Sequence, residues 1–388
     1  MTEKLITLLS DLNEKVRKES FGKIVSLIKK GKIKRNNAIK PWINLHIHTF
    51  HSYNYNNWSP SRIVFEGWKT GLKYVGTVDF DTLAAVDETL FAGKLLDVKV
   101  LGGFESRVFI DEMKDVVINS PKEPGIYYLC GKGFLKSPDD NSEAGKFFGY
   151  IKGIAQKRNR EVIEKLNEYL GEVRVDYYRD VLPLTPSDNP TERHITEAYQ
   201  RKSEEVMGEK VDIFWSDILK MGADKIRDTR TNKRADFQEL LRKVLIKYGG
   251  PGYMPPEKKN FPSFDETVRM IEKAGGIPVG TWLDGTSNGE QDPEKLLEFL
   301  SDKGIKAIAI IPDRNYNIKD KEEQKLKIRK LDEFITVCQK MKMPVVCGTE
   351  MNKFGQPFVD DFTNPVLKRY LSYFHSSAEL FFKKREEI

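Results

Sequence analysis

His46-Ile47-His48 carries two of the five histidines in this chain of 388 residues and closes a short apolar run, Trp42-Ile43-Asn44-Leu45. Side chains along a strand alternate between faces, so His46 and His48 point one way while Leu45 and Ile47 point the other. Two neutral imidazoles on one face at a strand end can converge on one divalent cation. The same pair also fits two half-buried, hydrogen-bonded histidines. What decides between these readings is which other groups the fold brings to the same place.

The elements that would position them can be read along the chain. Leu5, Leu8, Leu9 and Leu12, then Phe21, Ile24, Val25 and Ile28, keep helical spacing, which predicts two short helices before a solvated basic stretch from Lys29 to Lys34. Strand-like runs then alternate with helices. Ser59-Pro60 opens a helix running to Gly71, with the serine as N-cap and the proline at the first helical position. The strand Tyr74 to Val78, a helix over about 82–94 and the strand Val98 to Glu105 follow, an order that predicts parallel pairing. From about Asn141 to Tyr248 the chain reads as lysine- and arginine-rich helix without strands, ended by Gly249-Gly250-Pro251-Gly252 and Pro255-Pro256. Alternation then resumes. Ser263 to Glu266 forms a capping-box pattern before a helix, Ile277 to Trp282 a strand, and Asp292-Pro293 a further helix start. The strand Ile305 to Ile311, a long helix over about 320–341, the strand Val345 to Glu350 and helix from Pro365 complete the chain.

Six or seven strand-helix units interrupted once predict an α/β barrel, whose chemistry sits at the carboxyl ends of its strands. The expected segments are an N-terminal helical extension (1–40), a first part of the barrel (41–140), a helical insertion (141–260), and a second part of the barrel with a C-terminal helix (261–388). The polar residues closing the strands are His46 and His48, Asp79 and Asp81, Glu105, Asp284 after Trp282, Asp313, and Glu350. Two imidazoles and two carboxylates can bind and charge-neutralise a divalent cation. An acid at a strand end is also often the N-cap of the next helix. That alternative is stronger for Asp79, Asp81 and Asp313 than for Glu105 and Glu350, which precede no clear helix start.

Composition narrows the class. Hydrophobic residues make up 39% and charged residues 31%, the balance of a soluble globular protein, and no run reaches the roughly 18 apolar residues of a membrane span. The amphipathic start lacks the features of a signal peptide, and Cys130, Cys338 and Cys347 are widely spaced, two of them in apolar runs. Reduced core cysteines and a cytoplasmic location are the expectation. The net charge of +6 comes from interspersed residues, which suits anionic small molecules and does not indicate nucleic acid. Oligomeric state is open. Gly131-Lys132-Gly133 lacks the spacing of a phosphate loop, and there is no nucleophile elbow or zinc-type cysteine pair.

With these residues in place, the chain resembles the polymerase and histidinol phosphatase (PHP) family. Asn44 to Thr49 followed by His51-Ser52 is similar to its opening motif. Ser59-Pro60 to Gly71, Val78 to Thr82, Gly103-Phe104-Glu105, Ala274 to Val279 and Gly348 to Asn352 follow in the family's order. Glu192-Arg193-His194-Ile195 resembles the Arg-x-His element of that family's insertions. The resemblance covers about 42–133 and 262–362, and implies a distorted (β/α)7 barrel and phosphoester hydrolysis with, typically, three manganese, iron, zinc or magnesium ions.

The departures matter as much as the matches. Where the family places histidines this chain has Phe80, Trp282, Asn352 and, nearby, Tyr128, and a further ligand position falls on Tyr53 or His51 according to the alignment. Glu350 lengthens the family's aspartate. Phenylalanine and tryptophan cannot ligate a metal. The ligands that the resemblance assigns to one of the three sites survive as His46, His48, Glu105 and Glu350, so the expectation is one retained divalent ion.

A single ion can polarise a phosphoryl oxygen and lower the pKa of bound water from about 15.7 to about 7, but cannot clamp two oxygens between metals. Protein cations must then stabilise the developing charge. Arg107 is the first candidate, with Arg314, Arg193 and Lys353 beside it, because guanidinium suits bidentate phosphate recognition. Asp284 or His51 is the expected general base, and Asp79 can orient a ligating histidine from behind. Tyr53, Tyr55, Trp58 and Trp282 are candidate pocket aromatics, Trp58 reading rather as packing. The leading expectation is a metal-dependent phosphoesterase acting on a small anionic substrate. The alternatives are a catalytically silent barrel that binds a ligand or partner, and an interaction protein whose metal is structural.

Overall fold

The computed structural model describes residues 2–36 and 38–386. Met1, Asn37, Glu387 and Ile388, which belong to the expected N-terminal extension and C-terminal helix, lie outside the described residues. Two helices open the chain, α1 (Thr2–Thr7) and α2 (Glu14–Lys29), the second capped by the Asn13 side chain, which accepts from Lys15 N at 3.0 Å. The alternation β1 (Lys40–Ile47), α3 (Pro60–Thr70), β2 (Leu72–Phe80), α4 (Val86–Leu96), β3 (Lys99–Phe109) follows as expected. Ser59 caps α3 through Arg62 N at 3.1 Å, Pro60 takes the first turn, and Gly71 ends it in the left-handed conformation. The Ser59 hydroxyl also donates to Leu9 O, fastening the N-terminal extension to this helix start.

A seventh strand, β4 (Ile126–Phe134), precedes the insertion, whose main helices are α5 (Glu143–Leu170), α6 (Glu192–Met207), α7 (Val211–Leu219), α8 (Ala223–Asn232) and α9 (Arg234–Leu241). The second half of the barrel runs α10 (Phe264–Lys273), β5 (Ile277–Trp282), α11 (Pro293–Asp302), β6 (Ala307–Ile310), α12 (Asp313–Tyr316), α13 (Lys321–Lys340), β7 (Val345–Cys347), α14 (Pro365–Lys368) and α15 (Leu371–Glu386). Asp292 caps α11 through Lys295 N at 3.1 Å, as its Asp-Pro start predicts.

The seven strands form one sheet in sequence order. Pairing is parallel from β1 to β3 and from β5 to β7, but β4 runs antiparallel to both neighbours. The parallel pairing expected of the first three strands is present, and β4 is the strand that departs from it. The segment between β3 and β4 contains no α-helix that could carry the chain back across the sheet, so β4 returns as an antiparallel strand. The sheet nearly closes into a barrel at Glu350, whose N–H donates to His46 O and whose C=O accepts from His48 N, both at 2.8 Å. The last strand is shorter than the sequence implies, ending at Cys347 with Glu350 as an isolated bridge to Ile47. Gly348 makes the seam possible, because a Cβ there would lie 2.4 Å from His46 N.

The Ser263 capping box does not form. Ser263 is held in a bridge to Phe109, and its side chain makes no cap bond to α10. Outside the sheet, Ile47, Val75 and Val100 pack with Phe21, Ile24, Ile63 and Phe65 of α2 and α3, while the insertion gathers its own core around Leu166, Tyr199, Trp215 and Phe237. Each such side chain removed from water contributes about 1.5–3 kcal/mol. All three cysteines are free and buried. No described helix is long and apolar enough to cross a membrane.

Candidate metal centre

His46 and His48 leave β1 at the seam, and Glu105 points at them from β3. His46 Nε2 and His48 Nε2 lie 3.4 and 3.2 Å from Glu105 Oε2. Ligand atoms of these three side chains all fall within 4.8 Å of one another, and no other such group of three occurs among the described residues. The three residues are 2%, 0% and 4% exposed, yet His46 Nε2, His48 Nε2 and Glu105 Oε2 have no hydrogen-bond partner. Buried polar atoms are normally satisfied, so three orphans facing one another fit a cation better than a packed core.

A hydrogen-bond chain sets which nitrogen of His48 is free. Asp79 accepts from Thr49 N, Thr49 Oγ1 and Ser52 N at 2.8, 2.7 and 3.2 Å, and from Ser52 Oγ at 2.5 Å. The single hydroxyl proton of Ser52 is thereby used, so toward His48 Nδ1, 3.2 Å away, Ser52 acts as acceptor. His48 then carries its proton on Nδ1 and presents an Nε2 lone pair to the centre. Asp79 thus occupies the expected supporting position, acting through Ser52. Burial, with Lys132 nearby, holds the His46 pKa below the usual range. Burial opposes the charge of Glu105, but the two histidines outweigh it and pull its pKa down. A neutral imidazole and an ionised carboxylate are the forms a metal requires.

Glu350 lines the same cavity, and its backbone is left-handed at φ 62°, followed by Met351 at 54°. Two successive non-glycine residues in that region store strain, which the seam hydrogen bonds hold in place. The carboxylate does not join the three-residue cluster. It accepts from Arg314 Nη2 at 2.9 and 3.0 Å and from Gln356 Nε2 at 3.0 Å.

The cavity in front of the centre has a volume of about 460 Å³. Phe80, Tyr128, Trp282 and Asn352, standing where the resemblance expects histidines, all line it, as does Tyr53. Phe80 stacks on His48 with centroids 4.3 Å apart, and Trp282 stacks on Phe334 at 4.4 Å. Phe80 and Trp282 thus present apolar rings where the resemblance led to histidines being expected. Tyr55 and Trp58 do not line the cavity. The Tyr55 hydroxyl donates to Gln356 O at 2.9 Å, and Trp58 packs on Phe358.

Arg107, Arg193, Arg314 and Lys353 all reach the cavity wall. Arg107 pairs with Glu123 at 3.1 Å, and burial opposes its charge while Glu123 raises its pKa. Arg193 pairs with Glu239 at 2.8 Å. Sequence reasoning missed Arg158, Arg242 and Lys247, which the insertion contributes to the same wall. Glu192 pairs with Arg242 and Lys247, each at 2.8 Å. Burial and neighbouring Arg107 lower the Arg158 pKa, and its nearest carboxylate, Asp81, is 3.8 Å away. The strand-end position of Asp81 was the signal available for it. Its pKa is raised by burial, and it accepts from Ser106 Oγ at 2.5 Å.

Neither expected general base, Asp284 or His51, lines this cavity. The Glu290 carboxylate gathers the backbone N–H groups of Leu283, Asp284 and Gly285 at 2.7, 3.1 and 3.0 Å, which wraps the loop. The Asp284 side chain is left on Thr286 and on Lys327, 3.1 Å away. The His51 ring is buried against Phe50, and only its backbone oxygen, accepting from Ser187 and Asn189, meets the insertion.

His194 has a structural task. As the third residue of α6 its Nδ1 accepts from Thr191 N at 3.0 Å, and burial beside Arg193 depresses its pKa to about 3. Its folded pKa lies below the unfolded value, so its contribution is full above about pH 6.5 and is lost as pH falls toward 3. His194→Gln keeps a capping acceptor. Urea unfolding of this variant should match the wild type near pH 7.5. Between pH 6.5 and 4.5 its stability should fall less steeply, by about 1.4 kcal/mol per pH unit. An unchanged slope contradicts the assignment.

The sequence matches no protein-family model, and no curated protein matches it. Solved structures do share the fold. An amidohydrolase from Chromobacterium violaceum, determined with bound sulfate and no metal, aligns with a TM-score of 0.54 at 14% identity, over 85% of this chain and 95% of that one. A provisionally assigned metal-dependent phosphoesterase from Bifidobacterium adolescentis aligns with a TM-score of 0.53 at 18% identity, over 85% of this chain and 96% of that one. At these identities the likeness shows the barrel architecture alone.

Proposed function

We propose that the protein is a PHP-type, metal-dependent phosphoesterase acting on a small anionic substrate through a single-ion centre. The observation that carries this reading is the set of three buried, mutually facing and otherwise unpartnered ligand atoms on His46, His48 and Glu105, of which His46 and Glu105 line a cavity rich in cationic side chains. Three protein ligands with open positions are the usual form of a catalytic rather than a structural site. Manganese, iron, zinc or magnesium bound there would supply Lewis acidity, polarising a phosphoryl oxygen and letting water act as a nucleophile near neutral pH.

The chain's own residues supply the rest. Glu350, held by Arg314, would anchor a guanidinium at the mouth, or serve as a fourth ligand once released from that pair. Arg107 and Arg158 face the position of an anionic group from the barrel and the insertion. Asp81, buried and with its pKa raised, is placed to exchange a proton with a leaving oxygen, the task first expected of Asp284 or His51.

Metal-free protein reconstituted with each of these ions should hydrolyse a panel of small phosphomonoesters with one equivalent of metal per chain. A second reading, a silent barrel that binds a ligand, is favoured by one observation: Phe80 and Trp282, which stand where the resemblance would put ligands of further ions, line the cavity and cannot ligate. Stoichiometric metal without turnover would select it, and absence of bound metal would sink the single-ion phosphoesterase.

A further inference from the structure

Lys132 is 1% exposed and lies inside the barrel. On β4 it shares the two-residue period of Tyr128, which faces the cavity, and it pairs across the sheet with Gly103, two residues before Glu105. Gly103 leaves room for its stem, since Lys132 Cγ sits 3.4 Å from where a Cβ would stand. Its Nζ donates to Leu45 O, the carbonyl just before His46, at 2.8 Å. Burial lowers the Lys132 pKa, and Cys130 and Glu105 offset this only in part.

This placement changes the charge balance of the ligand set. Glu105 supplies its single negative charge, and Lys132 opposes it from within the barrel. Glu350 is matched by Arg314, Glu239 by Arg193, and Glu192 by Arg242 and Lys247. Asp81 faces Arg158 at 3.8 Å. Of the described acids lining the cavity, Asp313 is the exception, and its carboxylate accepts from Asn317 at 2.8 Å. A divalent ion entering this centre would retain nearly all of its double positive charge. An uncompensated charge in a buried site is strongly disfavoured.

We propose that the centre takes up its divalent ion and a dianionic ligand, a phosphate monoester or an analogue, as a coupled pair, with Lys132 setting the strength of the coupling. This rests on the single-ion reading above and adds a rule to it: each ligand raises the affinity for the other by the same factor, as linkage requires. A resting enzyme at low phosphate would hold its metal weakly.

The test uses the full chain, with Mn²⁺ affinity read from the free-ion paramagnetic resonance signal in chloride and in sulfate at matched ionic strength. Sulfate, a dianion that is not hydrolysed, should tighten Mn²⁺ binding by about tenfold or more, and Mn²⁺ should tighten sulfate binding equally. Lys132→Met should bind Mn²⁺ more tightly in chloride and respond less to sulfate, whereas loss of a merely structural lysine would weaken binding in both salts. Equal wild-type affinity in the two salts overturns the coupling alone. A folded Lys132→Met variant with wild-type affinity and sulfate response overturns the part given to Lys132. No Mn²⁺ binding in either salt overturns the coupling together with the single-ion reading. Should Lys132→Met fail to fold, the wild-type comparison decides.

Discussion

Glu105→Gln will weaken Mn²⁺ or Zn²⁺ binding by at least about a hundredfold and take the proposed phosphoesterase activity below detection. Loss of a residue that only supports a metal ligand costs about 10–100-fold, and Glu105 is proposed as a ligand itself. The substitution keeps the shape of the side chain but removes the one carboxylate facing His46 and His48. It also leaves the Lys132 ammonium without its nearby countercharge. His46→Ala should behave similarly, and Ser52→Ala should fall in the lower range, since it frees the His48 tautomer while leaving every proposed ligand in place. Calorimetric titration reads affinity directly. Thermal unfolding offers a check independent of activity, because ligand bound to the native state raises stability with concentration. The wild type should gain melting temperature on adding metal and Glu105→Gln should not. Equal gains in both would remove Glu105 from the centre.

Arg17→Ala will destabilise the protein by about 3–5 kcal/mol, the usual result of breaking a buried ion pair and leaving one charge alone. Arg17 and Glu88 are 4% and 6% exposed, and the guanidinium reaches both carboxylate oxygens, the shortest contact being 2.6 Å. The pair also satisfies backbone groups. Arg17 Nη1 donates to Asp11 O and Leu12 O at 2.8 and 3.1 Å, and Glu88 Oε1 accepts from Ser61 N at the start of α3 at 3.1 Å. Arg17 also lies 5.0 Å above the Phe50 ring, in the loop that follows His48. The N-terminal extension is thereby tied to the loop that directly follows His48. Glu88→Ala should cost a similar amount, and Arg17→Met with Glu88→Leu less than either single change, because no lone charge then remains. Urea unfolding measures all three. A single-variant cost within about 0.5 kcal/mol of zero, as for an ordinary surface substitution, would show the pair to be dispensable.

Helix starts with local chemistry were legible, and long-range constraints were not. Ser59-Pro60 and Asp292-Pro293 cap their helices as their residue types require, because the acceptor, the orphan N–H and the fixed proline φ lie within four residues. Ser263 has the same local pattern and fails, because pairing with Phe109, far off in sequence, fixes its backbone first. The antiparallel course of β4 depends on what fills the gap between strands, which residue types alone do not state.

The site divides in the same way. His46, His48 and Glu105 were readable because strand alternation fixes the facing of a residue within a strand. Asp284 and His51 lie in loops, where one carboxylate, Glu290, or one ring packing decides the direction. Arg158, Arg242 and Lys247 were hidden in a helical stretch that read only as basic. Lys132 entered the sequence reading only as the middle of a Gly-Lys-Gly triplet without phosphate-loop spacing, and it occupies a fully buried strand position.

A crystal of the full chain soaked in Mn²⁺ and sulfate, measured at a wavelength where manganese scatters anomalously, tests the central claim most directly. The account predicts a single anomalous peak within bonding distance of His46 Nε2, His48 Nε2 and a Glu105 oxygen. No peak at those three atoms, or additional peaks beside Phe80 and Trp282, would contradict it.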